Sequence, residues 1–104
     1  MPVVTVVAAP LRSRKAELDG IVAVNRAVAD ALGLMATDVF CVHVPAGVAA
    51  VGGEAVTPWP VVTIHGRDRG VEACARSLAA AGSAVASAWQ CNQDAVWVQW
   101  AHRT

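Results

Sequence analysis

Chemistry could begin at the second residue of this chain, where a proline follows the initiator methionine and precedes a β-branched run, Val3 to Val7. If Met1 is removed, the ring nitrogen of Pro2 becomes a secondary amine instead of an amide. A free N-terminal amine ordinarily titrates near pH ~7.7–8.0. Burial or a neighbouring cation lowers such a pKa towards the range in which a general base works well. A proline here can also simply stiffen the start of a strand, so the rest of the chain must decide between these interpretations.

The elements that would position this proline follow from the apolar pattern, which indicates two β-α-β units in succession. Runs and alternations of apolar residues indicate strands, and three- and four-residue spacing indicates helices. The predicted elements are a strand over 2–8, a helix between an N-cap at Ser13 and Gly33, a strand over 39–44, a strand from Pro60 to Ile64, a helix from about Asp68 to Trp89 and a strand over 94–100. Glycines and prolines punctuate 46–60, which we interpret as a loop or irregular hairpin with a functional or interface role.

The two units are similar in amino-acid sequence as well as in the order of their predicted elements. The segment Pro2-Val3-Val4-Thr5-Val6 returns as Pro60-Val61-Val62-Thr63-Ile64, so we interpret 1–104 as one domain with pseudo-repeat halves of about 1–57 and 58–104. Parallel pairing and right-handed crossovers predict an α+β fold, a four-stranded sheet with two helices on one face. The opposite face stays apolar, which favours a closed oligomer.

Composition excludes several classes of function. Hydrophobic residues make up 56% and charged residues 15% of the chain, and the formal net charge is zero, which argues against a nucleic-acid partner and against a basic membrane patch. Three cysteines without C-x-x-C spacing favour reduced thiols in a cytoplasmic protein. We find no glycine-rich phosphate loop and no metal-type spacing, so we expect no cofactor and no metal.

The layout resembles the tautomerase superfamily. Residues 2 to about 57 are similar to the single-unit 4-oxalocrotonate tautomerase, and the whole chain is similar to fused double-unit members such as malonate semialdehyde decarboxylase. The matching residues are Pro2, Arg12-Ser13, Val39 and Gly52-Gly53-Glu54 in the first half, and Leu34-Met35-Ala36-Thr37-Asp38, His65-Gly66-Arg67 and Trp97 over the whole chain. The resemblance implies a homotrimer.

The resemblance also implies roles for particular residues. Pro2 would be the acid/base, and Arg67, or as second choice Arg12, would bind a substrate carboxylate bidentately. Trp97 would form an apolar wall. Asp38 has two interpretations, since it either bonds to a local turn or holds a water or a substrate hydroxyl.

Two positions depart from the family pattern. Phe40 stands where the single-unit enzyme has an arginine, and His65 stands where the decarboxylase has the first of two.

Three functions remain open on the sequence. The first is keto–enol tautomerisation or isomerisation of a small 2-oxo or unsaturated carboxylic acid by Pro2. The second is decarboxylation or hydration of a β-keto or unsaturated acid, with Pro2 protonated and Asp38 activating water. The third is a catalytically silent trimeric binding module, which follows if Met1 stays attached and the Pro2 nitrogen remains an amide.

Overall fold

The computed structural model describes residues 1–102, and in it the first strand lies inside the sheet instead of at an edge. The strands are β1 (Val3–Ala8), β2 (Phe40–Pro45), β3 (Ala49–Val51), β4 (Glu54–Val56), β5 (Val61–Gly66) and β6 (Trp97–His102), and the helices are α1 (Arg14–Leu32) and α2 (Val71–Trp89). Single 3-10 turns, Ala36–Asp38 and Gln93–Ala95, precede β2 and β6. The main sheet has the order β2-β1-β5-β6.

The sheet is mixed in direction. Each β-α-β unit pairs its own strands in parallel, β1 with β2 and β5 with β6, as predicted. The two units then join through β1 and β5, which are antiparallel. The β-branched run of β1 predicted only parallel neighbours and gave no sign of the antiparallel neighbour β5. The reason is that such a run reports burial and not the direction of the neighbouring strand.

Helix α1 begins and ends where its capping residues predict. The Ser13 hydroxyl accepts a hydrogen bond from the Ala16 amide (3.1 Å), and Gly33 takes the left-handed conformation with φ 68°. Helix α2 starts at Val71, three residues later than Asp68, because the Asp68 carboxylate instead accepts a bond from the Gly70 amide (2.8 Å) and forms a turn there.

The core lies between the sheet and both helices. Val4, Val6 and Ala8 of β1 are buried, with Val24 of α1 and Val85 of α2 above them. The predicted fold, with two helices on one face of a four-stranded sheet, is therefore confirmed.

The other face of the sheet is open and carries large exposed apolar side chains on its two edge strands. Phe40 and Trp97, at the starts of β2 and β6, are 52% and 66% exposed. No helix within residues 1–102 is long and apolar enough to cross a membrane.

The segment predicted as a loop or irregular hairpin contains a short hairpin. Strands β3 and β4 pair antiparallel around Gly52 and Gly53, both of which have positive φ. This conformation is the one that glycine adopts without steric cost.

An internal two-fold relates the halves of the chain. The carbonyl of Pro2 accepts a hydrogen bond from the Phe40 amide, and the carbonyl of Pro60 accepts one from the Trp97 amide, each at 3.0 Å. Because β1 and β5 run in opposite directions, the two prolines lie at opposite ends of the sheet.

Candidate functional site

A recess of about 150 Å³ lies at the start of β1 and brings together three distant parts of the sequence. Its lining residues are Met1, Pro2, Leu34, Asp38 and Arg69. The start of β1 supplies the first two, the turn after α1 the next two, and the connection between β5 and α2 supplies the arginine. A potential base, an acid and a cation therefore share one small cavity.

Pro2 is held firmly in this recess. Its side chain is fully buried, and its carbonyl is fixed by the Phe40 amide. Met1 is 70% exposed, so the bond that joins it to Pro2 lies at the surface. Removal of Met1 would turn the Pro2 nitrogen into an amine at a fixed position inside the recess.

Arg69 brings an unsatisfied donor to the site. Its side chain is partly buried, and the Nε atom is shielded from solvent without a hydrogen-bond partner among residues 1–102. A buried donor without an acceptor costs free energy, about 1–3 kcal/mol or more for a charged group. A carboxylate bound in the recess would supply the missing acceptor.

Asp38 closes the 3-10 turn that leads into β2. Its amide donates to the Met35 carbonyl (2.9 Å), while its carboxylate is exposed and lines the recess. The bond to the turn is made by the backbone and not by the carboxylate, so both interpretations given above stay predictions.

Trp100 and Pro2 both lie close to Gly66. A Cβ at Gly66 would lie 3.1 Å from Cζ2 of Trp100 and 3.9 Å from Cα of Pro2, so the absence of a side chain at Gly66 allows the indole to approach. Apolar surroundings disfavour a charged amine and lower its pKa. Trp100 therefore suits a proline that acts as a base.

The structure does not bring the other predicted residues into this recess. Arg67 follows the end of β5 directly and is exposed, with its side chain outside the lining set. Arg12 lines a separate groove between α1 and α2. Trp97 pairs with Val61, at the opposite end of the sheet from Pro2. Val61 also pairs with Val7, which is five residue steps along β1 from Pro2, roughly 17 Å.

Arg69 is the charged residue of the recess that sequence reasoning missed. The sequence signal that could have identified it is the pair of arginines, Arg67 and Arg69, on either side of Asp68 just before the second helix. In the structure the Gly70 amide donates to the Asp68 carboxylate and forms a turn here, and of the two arginines only Arg69 lines the recess.

The cysteines and metal-type residues add no further chemistry to this recess. Burial raises the pKa of the Cys41 thiol to about 12, so it stays protonated and unreactive near neutral pH. Within residues 1–102, no three His, Cys, Asp or Glu side chains gather closely enough to hold a metal ion.

No family model matches the sequence, and no curated protein matches it. Solved structures match its backbone. A symmetric trimer of wild-type fused 4-OT has a TM-score of 0.86 at 19% identity, over 97% of this chain and 85% of that chain. A macrophage migration inhibitory factor-like protein from Entamoeba histolytica has a TM-score of 0.82 at 9% identity, over 99% and 89%.

Malonate semialdehyde decarboxylase inhibited by 3-bromopropiolate matches at a TM-score of 0.71 and 21% identity, over 98% of this chain and 83% of that chain. At these identities the likeness establishes the fold. The chain has the fold of the tautomerase superfamily, and the resemblance suggested by its sequence is confirmed at that level.

Proposed function

We propose that this protein is an enzyme of the tautomerase type that uses Pro2, freed by removal of Met1, as an acid/base on a small 2-oxo or unsaturated carboxylic acid. The observation that carries the proposal is the recess in which Pro2, Asp38 and Arg69 meet. The similarity in fold to fused 4-OT supports it.

Each residue of the recess has a distinct task in this reaction. Arg69 binds the substrate carboxylate, since a guanidinium can donate two parallel hydrogen bonds to it and the Nε atom lacks another acceptor among residues 1–102. The Pro2 amine removes a proton from the carbon next to the carbonyl group. The resulting protonated amine returns that proton to another atom of the conjugated system, so the double bond moves and the overall composition is unchanged.

We extend the proposal to a homotrimer. The open face of the sheet carries exposed Phe40 and Trp97, and the fused 4-OT that this chain resembles forms a symmetric trimer. Arg12 and Trp97 lie far from Pro2 within one subunit, so they can serve its site only when a neighbouring subunit supplies them. Burying the open face would then also complete the site.

A second candidate is decarboxylation or hydration, which the position of Asp38 favours. A carboxylate beside the Pro2 amine would stabilise the protonated form of that amine, while the apolar indole of Trp100 near Gly66 would oppose it. The pH dependence of kcat/KM separates the two. Activity that rises with pH near neutrality requires the free amine, and activity that falls as the amine loses its proton requires the charged form.

The proposed function is tested by intact mass and by turnover of an aryl enol-pyruvate. The purified chain should lack the mass of one methionine. Replacing Pro2→Ala should lower kcat by at least about 10²-fold, the ordinary contribution of a positioned acid/base. The matched control is Pro60→Ala, which changes the counterpart proline at the far end of the sheet and should keep turnover.

Retention of Met1 in the native protein, or equal turnover in Pro2→Ala, would contradict the proline mechanism. Either result would leave the silent trimeric module as the better description.

A further inference from the structure

A second and larger pocket, about 390 Å³, lies at the opposite end of the sheet from the Pro2 recess. Among the residues that line it are Leu11, Trp59, Pro60, Trp89, Cys91 and Ala95. Its volume falls within the range of roughly 300–1,000 Å³ that is usual for small-molecule sites. The proposed function makes no use of this pocket.

The internal two-fold makes this pocket the counterpart of the Pro2 recess. The first strands are offset by 58 positions, which relates Met1 to Trp59 and Pro2 to Pro60. From the helices onward the offset is 57, because α1 begins at Arg14 and α2 at Val71. Counterparts related by this offset are Leu34 with Cys91 and Asp38 with Ala95. Four of the five residues that line the recess therefore have counterparts that line the pocket.

At these counterpart positions the pocket lacks every group that could take part in catalysis in the Pro2 recess. The nitrogen of Pro60 is an amide bonded to Trp59, so it can never become a base. Ala95 replaces the carboxylate of Asp38. The offset of 57 positions relates Arg69 to Arg12, but Arg12 lines the groove between α1 and α2 and not this pocket. No charged side chain is among the residues that line the pocket in the described part of the chain.

The walls of the pocket are fixed before any ligand arrives. The indole Nε1 of Trp89 donates to the Ala9 carbonyl (2.8 Å), which holds one aromatic wall against the chain after β1. The Leu11 amide donates to the Glu17 carboxylate (3.0 Å), which fixes the backbone of this lining residue. A pocket with preset walls loses little conformational entropy on binding.

We propose that this pocket binds a small, uncharged aromatic molecule that carries a hydroxyl or a similar neutral polar group. Trp59 and Trp89 offer aromatic surfaces for a flat ring. The side chains of Thr57 and Gln90 also line the pocket and can form hydrogen bonds without carrying charge. A carboxylate, by contrast, would lose its hydration and find no cation among the lining residues, a cost that excludes the substrate class proposed for Pro2.

Binding is tested with 2-naphthol as the probe and 2-naphthoate as its charged match. The chain contains four tryptophans, so a ¹H–¹⁵N spectrum resolves four indole signals that single Trp→Phe variants assign. We expect 2-naphthol to shift the signals of Trp59 and Trp89 in a saturable way, and to leave that of Trp100 behind Pro2 unchanged. 2-Naphthoate should leave the signals of Trp59 and Trp89 unshifted at the same concentrations.

Two variants check that the shifts report this pocket. Ala95→Asp introduces the carboxylate of the first site and should weaken binding at least about tenfold, because a ligand would have to desolvate it. Trp59→Ala removes a wall that is 58% exposed, so the fold should tolerate it, and binding should weaken to a similar extent. The matched control Asp38→Ala alters only the Pro2 recess and should bind 2-naphthol as the unmodified protein does.

Three results would overturn the inference. Equal or tighter binding of 2-naphthoate would mean that Arg12 enters the pocket and serves anions. Unchanged affinity in Ala95→Asp and Trp59→Ala would place the probe elsewhere. Complete protection of both indoles from the probe would mean that a second copy of this chain fills the pocket. None of these results bears on turnover at Pro2, so the two proposals can fail separately.

Discussion

Replacing Arg69→Ala removes the one basic side chain that lines the Pro2 recess in the described part of the chain. Its guanidinium is partly buried, and its Nε atom has no acceptor among residues 1–102 until a ligand arrives. A hydrogen bond to a charged group contributes about 1.5–3 kcal/mol, which corresponds to roughly a 10- to 150-fold change in binding. We therefore expect kcat/KM for an aryl enol-pyruvate to fall by about that factor.

The loss should appear mainly in KM. The substrate carboxylate keeps its charge from the ground state to the transition state, so Arg69 binds both about equally. Arg69→Lys keeps the charge and loses the paired donors, so its kcat/KM should lie between those of the native protein and Arg69→Ala. The methyl ester of the same substrate has no carboxylate and should respond little to either change.

The matched control for this test is two residues away. Arg67→Ala removes the same charge from the same loop, but its side chain is exposed and outside the recess. Its kcat/KM should stay within about twofold of the native value, as is usual for surface changes. A larger loss in Arg67→Ala than in Arg69→Ala would refute the assignment and restore Arg67 as the carboxylate anchor.

Three further outcomes follow from the fold. Trp97→Asp places a charge on the open face and should convert the proposed trimer to monomers in sedimentation experiments. The pKa of Cys41 is raised to about 12 from an ordinary 9.0, so its contribution to the free energy of unfolding is present below pH 9 and is lost as the pH rises from there. The urea concentration at the unfolding midpoint should therefore fall less over that pH range in Cys41→Ala than in the native protein. Gly66→Ala forces a Cβ to 3.1 Å from Trp100 and should destabilise the fold by about 1–3 kcal/mol, whereas Gly47→Ala has open space and should be near neutral.

Much of the fold could be predicted because local signals and tertiary packing agree. Ser13 and Gly33 mark the ends of α1 in the sequence and cap it in the structure. The returning segment at Pro60 identified the second unit. The antiparallel join of β1 to β5 was not predictable in this way, because residue patterns report which faces are buried and not which strands become neighbours.

The site was harder to predict for a related reason. Pro2 and Asp38 were chosen from the sequence, and the structure places both in one recess. Arg69 was missed because the sequence does not show which of the two arginines beside Asp68 lines the recess. The roles of Arg12 and Trp97 remain predictions that depend on a neighbouring subunit.

The central position of β1 has a consequence for the order of events during synthesis. Strand β5, Val61–Gly66, pairs with β1 on the side away from β2 and leaves the ribosome about sixty residues after Met1. Chain elongation proceeds at roughly 5–20 residues per second, so this takes several seconds. During those seconds the N-terminus has at most one neighbouring strand and is open to an aminopeptidase. If Met1 is removed at all, its removal can therefore finish before the sheet closes around the terminus, and the Pro2 amine would then be present when the molecule folds.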